Sequence, residues 1–369
     1  MPTWAVYMWP QGPVGPVHSD TLFGALCWAY RALQGRASLE QFLDGLPGRP
    51  PCVLSSCFPA IRGPIGPVRC YPMPFLPMSA LSGPSGSQRQ QGASRGPRDA
   101  LDAEMKAADD LRGLARAPFV SEGVFRDIVT QGLGLAALWD RLNAKPPTLV
   151  RVAGIWMGAE EARGLPEAVQ TRAGWRDIDV PRNHIDRIAG ATVEGMLFSI
   201  AARYYQKDVG LWFALQAAGI ESFRPLLRYL QDTGVGGHRT SGISQFAIPL
   251  PEIHDLAIPS APSGDRLVNL SRYIPAPGEV RPDDERAAYR LTTIQPKHES
   301  RGAAPGQRIY KGRLVILEEG SVLPLVGERK EFYGRIVPVG RNSEDPDGFP
   351  VWHNGMTLPA FMAEERPNG

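Results

Sequence analysis

The chain has 369 residues, 43% of them hydrophobic and 21% charged, a globular balance with room for two cores. Its formal net charge of +2 and pI near 8.3 exclude a global field that gathers polyanions, so any nucleic-acid surface has to be local. No apolar run reaches the roughly 18 residues a membrane helix needs. The start, Met-Pro-Thr-Trp, has no basic leader segment, and the expectation is a soluble, cytoplasmic protein without membrane contact. Glycine and proline make up about a fifth of the chain, which predicts many turns and irregular connections. Cys27, Cys52, Cys57 and Cys70 lack the paired spacing of a structural zinc site. Reduced, buried cysteines and no metal are expected.

In chain order, residues 3–9 (TWAVYMW) alternate and read as an opening strand. "HSDTLFGALCWAYRAL" follows, with Ser19 as N-cap, Asp20 in the first turn and Leu22, Leu26, Ala29, Tyr30 and Leu33 on one face, which predicts a helix. Residues 51–61 (PCVLSSCFPAI) read as the second strand. Residues 79–98 carry glycine, serine, glutamine and three arginines without an acid, a mobile loop by composition. Residues 101–114 suit a helix, and 149–156 with 172–180 suit the arms of an irregular hairpin. "ATVEGMLFSIAARYY" and "VGLWFALQAAG" read as strands turning at 206–208. "ESFRPLLRYLQD" carries Phe223, Leu226, Leu227 and Leu230 at helical spacing, with Pro225 in its first turn and Gly234 as its C-terminal cap. "GISQFAIPL" alternates as a strand.

This order, β-α-β, a large insertion, then β-α-β, is that of a ferredoxin-like, RRM-type domain. The fold class expected is α+β: two ferredoxin-like domains with a large insertion that includes a thumb-like β-hairpin. The first spans 1–255, with 60–190 inserted and 79–100 flexible. The second, strand-rich, spans 256–369 and closes on a hairpin turn at Asn354–Gly355.

The stretch "QDTGVGGHRTSGISQF" sets the functional question. Phosphate loops of dinucleotide and P-loop proteins run from strand through glycine loop into helix. This one runs from helix into strand, and Arg239 stands where the last glycine of a dinucleotide fingerprint belongs. No nucleotide cofactor is expected. Two readings stay open: a helix-to-strand connection that uses glycine for its turns, or a backbone nest holding the phosphates of a single RNA strand. In the second, Gly236, Gly237 and Gly242 permit close approach while His238, Arg239, Thr240 and Ser241 donate.

"RAGWRDIDVPRNHIDRIAG" carries Arg172, Arg176, Arg182, His184 and Arg187 against Asp177, Asp179 and Asp186. It is either a solvated, salt-bridged hairpin or a surface that grips phosphates and stacks a base on Trp175. His18 and His238, if their loops converge, form an acid–base pair of the kind that cleaves RNA, or simply donate hydrogen bonds. His254, His298 and His353 have no metal spacing. Residues 310–313 (YKGR) suit either an RNA or subunit contact, or a strand edge guarded by charge.

"SDTLFGAL", the "FP" ending the second strand, "RNHIDR", "GVGGHRTSGISQF", "EEGSVLPL", "YGRIVPV" and "PVWHNGMTLPAF" together resemble the RAMP superfamily of CRISPR proteins. Within it they are similar to the fourth-subunit family of type III-A (Csm) interference complexes. The resemblance covers most of the chain apart from 83–112. It implies a non-catalytic subunit that caps one end of a ribonucleoprotein in antiviral and anti-plasmid defence. Such a subunit holds the crRNA 5′ handle and docks the large polymerase-like subunit and the first backbone RAMP subunit, meeting target RNA only indirectly. The residues it points to are His18, Ser19, Arg182, Asn183, Arg187, Gly234, Gly236, Gly237, His238, Arg239, Thr240, Ser241 and Gly242. The alternatives are a metal-independent RAMP endoribonuclease acting on repeat RNA, and the equivalent capping subunit of a type III-B (Cmr) complex.

Overall fold

A computed structural model describes residues 1–44, 46, 50–77, 109, 112–183, 185–186, 188–192, 195–297, 312–341 and 350–364. They form two compact units, Met1–Pro67 with Pro166–Leu256, and Val68–Leu165 with Ala257–Gly369. Residues 68–165, expected as an insertion into the first domain, belong to the second unit. The expected loop at 79–98, and most of the expected helix at 101–114, lie outside the described residues.

In the first unit the strand Val209–Ala217 is buried at every position. It pairs antiparallel with the opening strand Thr3–Pro10, from Thr3↔Gln216 to Met8↔Leu211. Its other edge pairs with Cys52–Leu54 and Phe58–Arg62, so the expected second strand is interrupted. Between Trp212↔Phe58 and Leu215↔Leu54, residues 55–57 face only 213 and 214, which is a bulge. Ser55 repairs it: its N–H donates to Ala214 O at 2.9 Å and its hydroxyl accepts from Ala214 N at 2.8 Å.

The outer edge of the opening strand takes Phe246–Ala247 and His254–Asp255. The expected strand at 242–250 is thus reduced to two residues, the preceding ones being drawn into the glycine loop. Counted in chain order, the spatial sequence of the four core strands is fourth, first, third, second. Helices Ser19–Gln34 and Arg224–Thr233 pack on each other.

The first helix buries Leu22, Phe23, Leu26 and Ala29, the larger side chains contributing about 1.5–3 kcal/mol each. Leu33, expected on that face, is 46% exposed, and the whole last turn, residues 31–34, is exposed with it. His18, not Ser19, is the N-cap residue, and Ser19 is fully buried with its N–H donated to Ser56 Oγ at 3.0 Å. The second helix matches its sequence signals: Pro225 sits in the first turn, and Gly234 at φ 75° ends it with N–H to Leu230 O at 2.8 Å.

Two expected pairings are corrected. Leu149–Val152 folds directly onto Ile155–Gly158, and Trp175–Arg182 pairs instead with Phe198–Tyr205, from Trp175↔Tyr205 to Arg182↔Phe198. Phe198–Tyr205 and Val209–Ala217 are consecutive yet do not form a hairpin with each other. One is exposed at half of its positions and the other wholly buried, and they take different partners.

In the second unit Pro67–Pro72, Phe119–Ser121, Ile155–Gly158 and Leu149–Val152 form one sheet. Helix Glu122–Gln131 starts at Ser121, whose hydroxyl accepts from Val124 N at 3.4 Å. The Glu161 carboxylate accepts from Gly123 N and Gly158 N, both at 3.1 Å. A second sheet orders Val322–Pro324, Arg266–Asn269 and Pro359–Met362, with ribbons Leu291–Ile294/Leu314–Leu317 and Tyr333–Arg341/Pro350–Thr357 beside it. Among the described residues, 257–369 contributes no α-helix; the helices of this unit come from 112–163.

Glu279, 6% exposed, accepts from Tyr273 Oη at 3.2 Å, Ala276 N at 3.0 Å, Gly334 N at 2.7 Å and Lys330 Nζ at 3.2 Å. Asn354–Gly355 is not a turn. Both residues lie within a strand, opposite Ile336 and Arg335, and the glycine is there because a Cβ at 355 would stand 2.6 Å from Ile274 Cβ.

None of the four cysteines forms a disulfide. Burial pushes the thiols of Cys52, Cys57 and Cys70 well above the usual range, which keeps them protonated and poor nucleophiles. Among the described residues no helix is long and apolar enough to cross a membrane.

Candidate nucleic-acid interface

The glycine loop begins where the second core helix ends. Gly234 has to be glycine: besides its positive φ, a Cβ there would stand 2.8 Å from Ser244 O. Val235 N then donates to Ser244 O at 3.1 Å, closing the loop at its neck. At its crown, residues Arg239–Ser241 make one turn of 3-10 helix between two left-handed residues, His238 (φ 60°) and Gly242 (φ 81°). His238 O accepts from Ser241 N at 3.0 Å, Ser241 Oγ at 2.8 Å and Ile243 N at 3.3 Å. Arg239 O accepts from Gly242 N at 3.1 Å and Gln245 Nε2 at 2.9 Å.

Two further segments of the same unit meet this loop. The connection between the opening strand and first helix is tied to it by Gln11 N→Gln245 O at 2.9 Å, Ser244 N→Pro13 O at 2.8 Å and Gly15 N→Ser244 Oγ at 2.9 Å. A Cβ on Gly236 would lie 3.5 Å from Thr21 Cγ2, in the first turn of that helix. The loops flanking His18 and His238 therefore converge, as the β-α-β order predicts. The hairpin Trp175–Arg182/Phe198–Tyr205 joins through two bonds of 2.8 Å between the backbones of Val14 and Arg203, and through Arg182 Nη2→Ser241 O at 2.9 Å.

The loop presents a donor surface. The N–H groups of Gly236, Gly237, His238 and Thr240 have no acceptor among the described residues. Gly237, His238, Thr240, Ser241 and Gly242 are exposed. Successive backbone N–H groups around left-handed residues form a concave site for anions.

The remaining expected residues divide. Arg239 is half-buried and turns inward, donating from Nη1 to Gly236 O at 3.3 Å. Ser19 is removed from the candidate surface by its burial, and Gly234, also buried, serves as a helix cap. His18 is half-buried at the helix start, Asn183 is exposed on the hairpin, and His184 and Arg187 lie outside the described residues.

Trp175, expected to stack a base, is already engaged. Arg203 lies 5.2 Å over its ring, Tyr205 packs at 6.0 Å, and Arg203 Nε donates to Asp177 at 2.8 Å. Burial pushes the Tyr205 phenol up to about 12. Two aromatics of the hairpin are more exposed: Phe198 at 42%, and Tyr204 at 45% with the Arg176 guanidinium 5.4 Å over its ring. Only alternation along Phe198–Tyr205 separates Tyr204 from Tyr205, and which face is which needs the pairing partner.

No protein-family model matches the chain. It is 25% identical over 360 residues to the curated CRISPR system protein Csm4 of Thermococcus onnurineus (strain NA1), a match covering 93% of this chain and 98% of that protein. Among solved structures it is similar to the Csm3-Csm4 subcomplex of the type III-A CRISPR-Cas interference complex, with a TM-score of 0.59 and 15% identity over 100% of both chains. It is likewise similar to the Csm1-Csm4 cassette in complex with pppApA, with a TM-score of 0.54 and 18% identity over 100% of both chains. These structural likenesses are of fold.

Proposed function

Because the chain belongs to the Csm4 family of type III-A CRISPR proteins, we propose that it is a non-catalytic subunit of the effector ribonucleoprotein that clamps the 5′ handle of the crRNA. The observation that carries this reading is the crown of the glycine loop: four N–H donors without an acceptor among the described residues, at Gly236, Gly237, His238 and Thr240. Amides not used within the loop suit phosphate oxygens, and such contacts hold a strand in register without reading its sequence. Thr240 is exposed beside them, and its hydroxyl is of the kind that meets 2′-OH groups, whereas the Ser241 hydroxyl donates to His238 O.

The fourth-first-third-second strand order of the first unit supports reading it as a ferredoxin-like RAMP domain; for the second unit that reading rests on the family resemblance. Relatives of this chain are solved with Csm1 and with Csm3. By that likeness this chain docks the large polymerase-like subunit and a backbone RAMP subunit, and meets target RNA only through the assembly. His18 and His238 act here as hydrogen-bonding groups, not as an acid–base pair.

Crosslinking within the assembled particle tests the site. Photoreactive groups at Gly236–Ser241 are expected to capture handle nucleotides, and capture only elsewhere on the guide rejects the assignment. Incubating the pure chain with labelled repeat RNA in EDTA tests the absence of catalysis, since site-specific cutting that vanishes in a His18→Ala/His238→Ala variant makes it a nuclease.

A further inference from the structure

The ribbon Leu291–Ile294/Leu314–Leu317 of the second unit leaves one strand edge open. Leu317 donates its N–H to Tyr273 O at 2.8 Å and accepts from Tyr273 N at 3.1 Å, so its backbone groups point away from Leu291, the residue opposite it. In such an antiparallel pair the backbone groups of both residues point outward. The N–H and C=O of Leu291 therefore face away from the ribbon, and by alternation so do those of Thr293. Neither N–H has an acceptor among the described residues.

The side chains around this edge are also uncovered. Leu291 and Val315 are each 57% exposed, and Thr293, directly opposite Val315, is exposed with them. The described residues 289–297 and 312–317 contain Arg290, Lys297 and Arg313 and no carboxylate. Open edges are commonly blunted by a charge or a proline within the strand, and Leu291–Ile294 has neither.

We propose that this is a docking edge: an extended strand of a neighbouring protein subunit pairs along Leu291–Ile294, with apolar side chains over Leu291 and Val315 and carboxylates toward Arg313. The inference rests on the function proposed above, in which the chain works inside an assembly. Three features choose the occupant. The edge offers N–H and C=O groups together, and a peptide strand satisfies both, whereas carbonyl oxygens repel a phosphate backbone. Exposed leucine and valine call for apolar partners. The excess of cations sets a second copy of the same ribbon against itself and favours an acidic strand.

The test is amide hydrogen exchange at Leu291 and Thr293. It compares the free chain, the chain with crRNA, and the particle assembled with the large and backbone subunits. Exchange at both amides is expected to slow by roughly 100-fold or more in the particle alone. Thr293→Pro removes one outward N–H and leaves the bonds to Leu314–Leu317 intact, since proline is tolerated where an edge N–H faces solvent. This variant should melt like the parent yet hold the docked subunit about 10-fold more weakly, on the order of one hydrogen bond. Thr293→Val keeps the N–H and should behave as the parent. If the proline variant melts low, Arg313→Glu answers instead, with an expected loss of about 5-fold.

Equal exchange in the free chain and the particle overturns the docking edge, as does parent-like retention of the docked subunit in both the proline and the glutamate variants. Handle crosslinks at the glycine loop of the same particle then show whether the proposed function stands. Slowing by crRNA alone would make the edge a nucleic-acid contact. Slowing in the free chain that grows with its concentration would make the occupant a second copy, and either result overturns the proposal.

Discussion

Gly237 and Gly355 look alike in the sequence, each beside a polar residue in a stretch that reads as a turn. The structure uses them in opposite ways, and neither needs a positive φ. Around Gly237 a Cβ would meet nothing within 4 Å, so the missing side chain leaves backbone open to solvent. At Gly355 a Cβ would meet Ile274 Cβ at 2.6 Å, Ile274 Cγ1 at 2.7 Å and Arg335 O at 2.9 Å. There the missing side chain lets a strand close against its neighbour. Glycine leaves open space in one region, where the proposed function puts RNA, and close contact with the protein's own core in the other.

Substitutions in the core of the second unit should break folding hardest. Glu279→Ala strands the Tyr273 hydroxyl and the N–H groups of Ala276 and Gly334. Losing several buried acceptors at once is expected to cost about 4 kcal/mol, read as a lower urea midpoint; an unchanged midpoint removes this network from the argument. Gly355→Val should follow at about 3 kcal/mol, the upper range for overpacking, and a variant that melts like the parent would show that the strand gives way easily.

Gly210→Ala sharpens the contrast, because its Cβ would stand 2.4 Å from the Trp9 ring in the first unit. An expected loss of about 2 kcal/mol would show that core placement, not membership of one unit, governs the outcome. Gly237→Val should change stability by less than about 0.5 kcal/mol and yet weaken RNA binding about 10-fold, on the order of one charge-assisted hydrogen bond. A large fall in its melting temperature would place Gly237 with Gly355 and dissolve the distinction.

What could be read from letters alone was local. The stripe Leu22, Leu26 and Ala29, and the Pro225 and Gly234 brackets of the second core helix, are written within a few residues and appear in the structure as expected. The fate of Trp175–Arg182 was not, since its partner lies at 198–205 and pairing over that distance depends on which strands the core has already claimed. Ser19 failed for a related reason: a serine ahead of a helix is a good cap in isolation, but here a buried Ser56 hydroxyl takes its N–H. The glycine loop stands out by composition, whereas the exposure of Tyr204 and the half-burial of its neighbours Trp175 and Tyr205 depend on a pairing that the letters do not show.

Ser244, 1% exposed and itself left-handed at φ 61°, makes three bonds to two segments: to Pro13 through its N–H and Gly15 through its hydroxyl, and to Val235 through its carbonyl. Its three bonds fix the course of the glycine loop in the chain by itself, so on the proposed function the site is formed in advance of RNA. Capture should then proceed at the pace of diffusional encounter, quickening in dilute buffer as screening weakens. A Ser244→Ala chain would instead hesitate, its association slowed by a loop that must first find its shape.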